Sequence, residues 1–227
     1  MLQLYIGNKN YSSWSLRPWL VLKVFEIEFQ EHWVQFDDFK LSSPFKQQLL
    51  KLHPTAQVPL LQDADLVIAD SLAICEYLAE TYPDLHLWPK DKAQRAYARS
   101  ICAEMHSGFS SLRNLLPMNI EADLVVVGAE LWQSNVDLGD DVHRIESIWA
   151  QRPSVDGFLC GDQFCIADAF YAPVVMRMLG YGLPISNENQ AYVEKILGLD
   201  AVKQWQKQAR LEQCFVPIDE PYRSAPE

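Results

Sequence analysis

Asn10-Tyr11-Ser12-Ser13-Trp14-Ser15-Leu16-Arg17-Pro18 joins a short apolar run, Leu2–Ile6, to a stretch over 15–25 with apolar residues at 16, 19, 20 and 24. The run reads as a strand and the stretch as one face of a helix. The hydroxyls of Ser12, Ser13 and Ser15 then fall where the helix N-terminus lies. Free N–H groups and the positive end of the macrodipole meet there. One serine suffices as an N-cap. Three make a place where an anion is stabilised and receives a further hydrogen bond from a hydroxyl.

Two more features follow. Gln57-Val58-Pro59-Leu60-Leu61 opens an apolar strand with a proline, which donates nothing to a sheet ladder. A trans proline at a strand start satisfies the composition. A cis bond would turn the Val58 backbone outward and leave its N–H and C=O to a ligand. Asp70-Ser71-Leu72-Ala73-Ile74-Cys75 opens a helix with core-like residues at 72, 74, 75 and 78. Asp70 or Ser71 caps it. The same N-terminus can hold a carboxylate, and Asp70 can pair with an ammonium. Read singly, each feature is met by ordinary capping or strand geometry.

Outward from these stretches, the first part of the chain alternates. Strands are expected at 2–6, 32–36, 58–61 and 66–69, and helices at 15–25, 44–52 and 71–82, the second with Pro44 in its first turn. The order β-α-β-α-β-β-α contains a crossover unit and then a hairpin around Asp63-Ala64-Asp65. Pro83 to Pro89 reads as a linker, because proline is poorly tolerated inside helices. Beyond it amphipathic segments are expected at 91–116, 121–151, 166–180, 187–197 and 199–211, with an irregular tail from Pro217. The domains are therefore 1–82, a linker at 83–90, and an all-helical 91–227. The fold class is α/β plus all-α.

Charge and cysteine content narrow the partners. The 227 residues carry 19 basic and 30 acidic groups, net −11. The acidity is spread over both parts, so nucleic acid and anionic membrane surfaces are unfavoured partners. No run reaches about 18 apolar residues, and no secretory signal opens the chain. Five cysteines at 75, 102, 160, 165 and 214, without a CxxC, read as reduced thiols in a cytoplasmic protein. The histidines at 32, 53, 86, 106 and 143 have no metal-ligand spacing, and no metal is expected.

In order and spacing, the three stretches resemble the N-terminal half of the cytosolic glutathione transferases, and the helical remainder resembles that family's second domain. Ser-Ser-Trp-Ser-Leu-Arg is similar to the Ser-Ser-Cys-Ser-Trp-Arg motif of the zeta class (maleylacetoacetate isomerases). Asn-Tyr-Ser-Ser-Trp-Ser-Leu-Arg-Pro-Trp is similar to a group of bacterial relatives. The combination marks the superfamily rather than one class. The resemblance implies a thioredoxin-like N-terminal domain and glutathione as co-substrate. Ser13, with Ser12 second, would stabilise the glutathione thiolate. The Val58 backbone would pair with the cysteinyl part, Asp70 and Ser71 would hold the γ-glutamyl end, and Gln57 would reach the glycyl end. It also implies a homodimer and a small-molecule electrophile as the second substrate.

The chain departs from the pattern at two points. Trp14 stands where the zeta motif has cysteine, which removes the thiol at the helix end. Cys165 stands where the family has Ser or Thr in the capping box around Asp168. Tyr11 rivals the serines at the sulfur, since other classes use a tyrosine near the end of the first strand; Tyr5 fits a half-buried strand position. His106, Phe109 and Arg113 share a helix face by spacing and are candidates to line the electrophile pocket, with His106 able to move a proton near neutral pH. Three functions follow: transfer of glutathione to an electrophile, a zeta-type isomerisation, or non-catalytic binding on the same fold.

Overall fold

The computed structural model describes residues 1–225. The first part forms a four-stranded mixed sheet in the order β2-β1-β3-β4, made of β1 (Leu2–Ile6), β2 (Phe29–Trp33), β3 (Leu60–Asp63) and β4 (Leu66–Ala69). β1 runs parallel to β2 and antiparallel to β3, and β3 and β4 form the hairpin. α1 (Ser13–Val24) and α3 (Ser71–Thr81) cover one face, where Leu2, Leu4, Ile6 and Leu61 pack with Leu16, Leu20, Ile74 and Leu78. α2 (Pro44–Leu49) covers the other face through a smaller cluster of Val34, Phe45, Leu49, Ala56 and Leu60. Period-two alternation along β1 serves both clusters at once.

β2 starts three residues earlier than the 32–36 run suggests. Its polar Gln30 and Glu31 sit at a sheet edge, where outward positions face water, so the strand carries no continuous apolar signal. The apolar run survives as an extension of the pairing, with Val34 N–H donating to Ile6 C=O at 2.8 Å.

The second part comprises α4 (Lys92–Ser107), α5 (Ser110–Leu115), α6 (Val125–Ser134), α7 (Val136–Ala150), α8 (Ile166–Gly180), α9 (Asn187–Gly198) and α10 (Asp200–Leu211). Two expected long helices are therefore broken. The first stops at Gly108, whose N–H closes on Glu104 C=O at 2.7 Å, and Phe109 takes a left-handed turn with φ 53°. The second begins later, at 125, and is interrupted at Asn135, an extended residue with no Pro or Gly beside it to announce the break. Gly128 lets α6 approach α8 closely: a Cβ there would stand 1.8 Å from the Tyr181 carbonyl oxygen.

α8 is the axis of the molecule. It is buried along nearly its whole length and packs on both α1 and α4, so it ties the helical part to the sheet. Asp168 fixes its start, taking the N–H of Cys165 and of Leu159 at 2.9 Å each. Burial raises the Asp168 carboxyl to about 6 against the pull of those bonds.

Candidate functional site

A cavity of about 650 Å³ opens between the sheet domain and α4–α5. Trp14 lines it from the start of α1. Gln57, Val58, Asp70 and Ser71 line it from the strand–helix connections, and His106 and Arg113 from the helical part. Phe36, Phe39 and Phe45 form an edge-to-face trio on one wall beside Lys46. Six residues singled out from the sequence thus share one cavity. Ser12, Ser13 and Phe109 stand outside its lining, each buried.

The loop before α1 is organised by Asn8, whose carbonyl accepts the N–H groups of Tyr11 and Ser12 at 3.1 and 2.8 Å. Ser12 is the N-cap: its Oγ accepts from Ser15 N–H at 3.4 Å and donates to Ser15 Oγ at 2.7 Å. Ser13 lies one residue on, and its Oγ accepts from Arg177 Nη2 at 2.9 Å. The Tyr11 hydroxyl points into the C-terminal segment, where it meets Glu220 Oε1 at 2.7 Å and the Cys214 carbonyl at 2.9 Å. Burial and Glu220 push that phenol well above its usual range. Tyr5 stacks on His32 and bonds Gln62, away from the cavity.

At the other wall the Val58–Pro59 bond is cis and β3 begins after it, at Leu60. Asp70 is the cap of α3: Oδ1 takes the N–H groups of Leu72 and Ala73 at 2.8 and 3.2 Å, with the residue at φ 83°. Its Oδ2 lies 3.2 Å from His106 Nε2, so the pair bridges the two parts of the chain across the cavity. Ser71, freed from capping, keeps a buried Oγ with no hydrogen-bond partner. A polar atom in that condition at a cavity wall is one a ligand can satisfy.

Arginines surround Trp14. The Arg17 guanidinium lies 3.9 Å from its ring centroid, and Arg113 at 5.5 Å. Arg17 is fully buried, and its Nε and Nη1 have no partner. Burial first, then Arg177 and Arg113 nearby, lower it to about 9. Burial likewise lowers Arg177 to about 10. Neither Arg17 nor Arg177 is among the site residues expected from the sequence. Their signal was a single arginine inside each of two otherwise apolar helices, Leu16–Leu20 and Val174–Met178. Among the described residues, no group of three or more His, Cys, Asp or Glu side chains is placed to hold a metal.

The family model "Glutathione S-transferase, N-terminal domain" matches residues 11–81. A probable maleylacetoacetate isomerase of Caenorhabditis elegans is 39% identical over 187 residues, covering 81% of each chain. Glutathione S-transferase 1 of Dianthus caryophyllus is 28% identical, covering 82% of this chain and 81% of its own. Among solved structures, a glutathione transferase homolog from Burkholderia GL BGR1, with bound glutathione, superposes with a TM-score of 0.67 at 26% identity, covering 92% of this chain and 97% of that one. Fold, motif order and sequence agree: the chain belongs to the cytosolic glutathione transferase superfamily, with its affinity towards the zeta class.

Proposed function

We propose that this protein is a serine-type glutathione transferase that binds reduced glutathione in the Trp14–Val58–Ser71 cavity and presents it as a thiolate to a small electrophile. The observation that carries the assignment is the set of hydrogen-bond partners around three hydroxyls. Tyr11 commits its proton to the C-terminal segment and Ser12 commits its own to Ser15. Ser13 only accepts, from Arg177, and no acceptor within the described residues takes its proton. A hydroxyl has one proton and two lone pairs, so of Tyr11, Ser12 and Ser13 it is Ser13 that has a hydrogen bond left to give.

The residues divide the work. Ser71 Oγ and the α3 N-terminus hold the γ-glutamyl carboxylate, and Asp70 takes the ammonium. The Val58 backbone pairs with the cysteinyl unit, and Gln57 faces the glycyl end. Ser13 donates to the sulfur at the positive end of α1, which lowers the thiol pKa and raises the nucleophile's population at neutral pH. His106 and Arg113 face the second substrate, with Trp14 on the same cavity. Residues 1–82 act as the glutathione domain and 91–227 as the electrophile domain, joined by 83–90. The protein is a cytoplasmic homodimer with a role in detoxification; sedimentation at about 26 kDa, the mass of one chain, at micromolar concentration would refute the dimer.

The deciding experiment is calorimetric titration of the protein with reduced glutathione, run beside Ser13→Ala. Binding with proton release in the wild type, and less release in the variant, is expected. No binding to either removes the transferase reading. A second reading, glutathione-dependent isomerisation of a double bond, is favoured by the 39% identity to the nematode protein. Trp14 in place of the zeta cysteine weighs against it. A panel of unsaturated diacids and halogenated electrophiles separates the two.

A further inference from the structure

We propose that Arg177, on the central helix of the helical domain, is a positioning residue for Ser13. It occupies an acceptor lone pair of the serine hydroxyl and leaves the hydroxyl proton to the glutathione sulfur. The inference rests on the transferase reading and adds to it that the sulfur site is built by both domains.

The geometry is closed on the arginine side. Nη1 is anchored to the Leu116 carbonyl at 2.9 Å, Nη2 reaches Ser13 Oγ at 2.9 Å, and the residue is buried. Two fixed bonds from one planar fork leave the guanidinium little freedom, so the serine oxygen is held rather than merely touched. A hydroxyl that accepts a charge-assisted hydrogen bond becomes a better donor, because successive bonds polarise one another in a low-dielectric site. The titratable or charged groups that act on it are Arg113 and Arg17 on the cation side, and Tyr181 and Asp219 on the other. No carboxylate lies within salt-bridge distance of Arg177 among the described residues. A buried cation left in that state is costly, and a thiolate hydrogen-bonded to Ser13 would offset it.

The test is the apparent pKa of bound glutathione, read from thiolate absorbance against pH. Arg177→Met is expected to raise it by about one unit, a tenfold loss of thiolate below that pKa. Ser13→Ala is expected to raise it by a similar amount, and the double variant no further. Arg177→Gln, which keeps an N–H donor without the charge, is expected to recover most of the loss. Affinity for S-methylglutathione, which has no thiolate, should change less than about twofold, since that ligand lacks the charge the pair responds to. An unchanged pKa in Arg177→Met, additive rises in the double variant, or no recovery in Arg177→Gln each overturns the proposal. If the methionine variant does not fold, the Arg177 side-chain resonances of the wild type decide. They should shift with glutathione and not with S-methylglutathione, and an equal response to both overturns the proposal. Failure of the wild type to bind glutathione at all would instead overturn the transferase reading beneath it.

Discussion

Two groups of arginines in this molecule stand in contrast. Arg144 grips Glu104 through two bonds of 2.6 and 2.8 Å, and Arg223 grips Glu220 at 2.9 and 2.6 Å. Arg17, Arg113 and Arg177 have no carboxylate within reach among the described residues, and two of them are fully or almost fully buried. In a chain of net charge −11, anionic partners are not scarce. The difference therefore marks place rather than supply: Arg17 and Arg113 lie against Trp14, and Arg177 reaches Ser13. Arg144 is about half-exposed in its pair and Arg223 mostly buried in its own, whereas Arg17 and Arg177 are buried with no carboxylate partner among the described residues.

Four experiments sharpen or break that contrast. The largest effect is expected from Ser13→Ala, which removes the proposed donor to the sulfur. Its kcat/KM should fall roughly 10- to 100-fold, as for loss of one donor to a developing anion, with a stability loss of about 1–3 kcal/mol from the Arg177 donor left unpaired; activity within twofold of wild type would break the assignment. Arg17→Met comes next. It keeps the stem and removes a buried charge whose folded pKa is depressed to about 9. The free protein should gain about 1–3 kcal/mol against denaturant while the bound thiol pKa rises; a loss of stability would show that Arg17 is paired in solution.

Asp219→Asn probes the acid beside this cluster. Burial carries Asp219 from 3.8 to about 6, and its Oδ2 has no partner. The folded state holds the proton where the unfolded state has released it, so this group's contribution falls as pH rises from about 4 to 6. Asparagine should add up to about 2 kcal/mol at pH 7 and nothing below pH 4, seen in parallel melts at the two pH values. The smallest effect belongs to Arg144→Ala, about half-exposed in its pair with Glu104. A cost below about 1 kcal/mol is expected; more than 2 would make the paired set as consequential as the open one.

The sequence made some of this legible and hid the rest for physical reasons. Pro44 and Asp70 announce helix starts because their chemistry is local, and the structure places α2 and α3 there. α8 is found over 166–180 because a buried helix is apolar throughout and Asp168 marks its start. β2 is misplaced because an edge strand needs no continuous apolar pattern. The break at Asn135 carries no Pro or Gly, so tertiary packing decides it. At the site, the motif stretches supply Val58, Asp70 and Ser71 to one cavity. Arg177 was invisible as a partner of Ser13, since 164 residues separate them and no periodicity links a side chain in one domain to a hydroxyl in the other.

The end of the described chain reaches back to its beginning. Glu212 takes the backbone N–H of Lys9 at 2.7 Å and the Asn8 amide at 3.2 Å, and Tyr11 is held by Cys214 and Glu220. Trp205 Nε1 closes on the Lys9 carbonyl at 2.9 Å. Synthesis runs from the N-terminus, so the loop bearing Ser12 and Ser13 emerges from the ribosome about 200 residues before the groups that lock it. The sheet can form early on local and hairpin contacts. The serine loop waits for residue 220, so a ribosome-bound nascent chain can be folded in its first domain and still lack the finished loop.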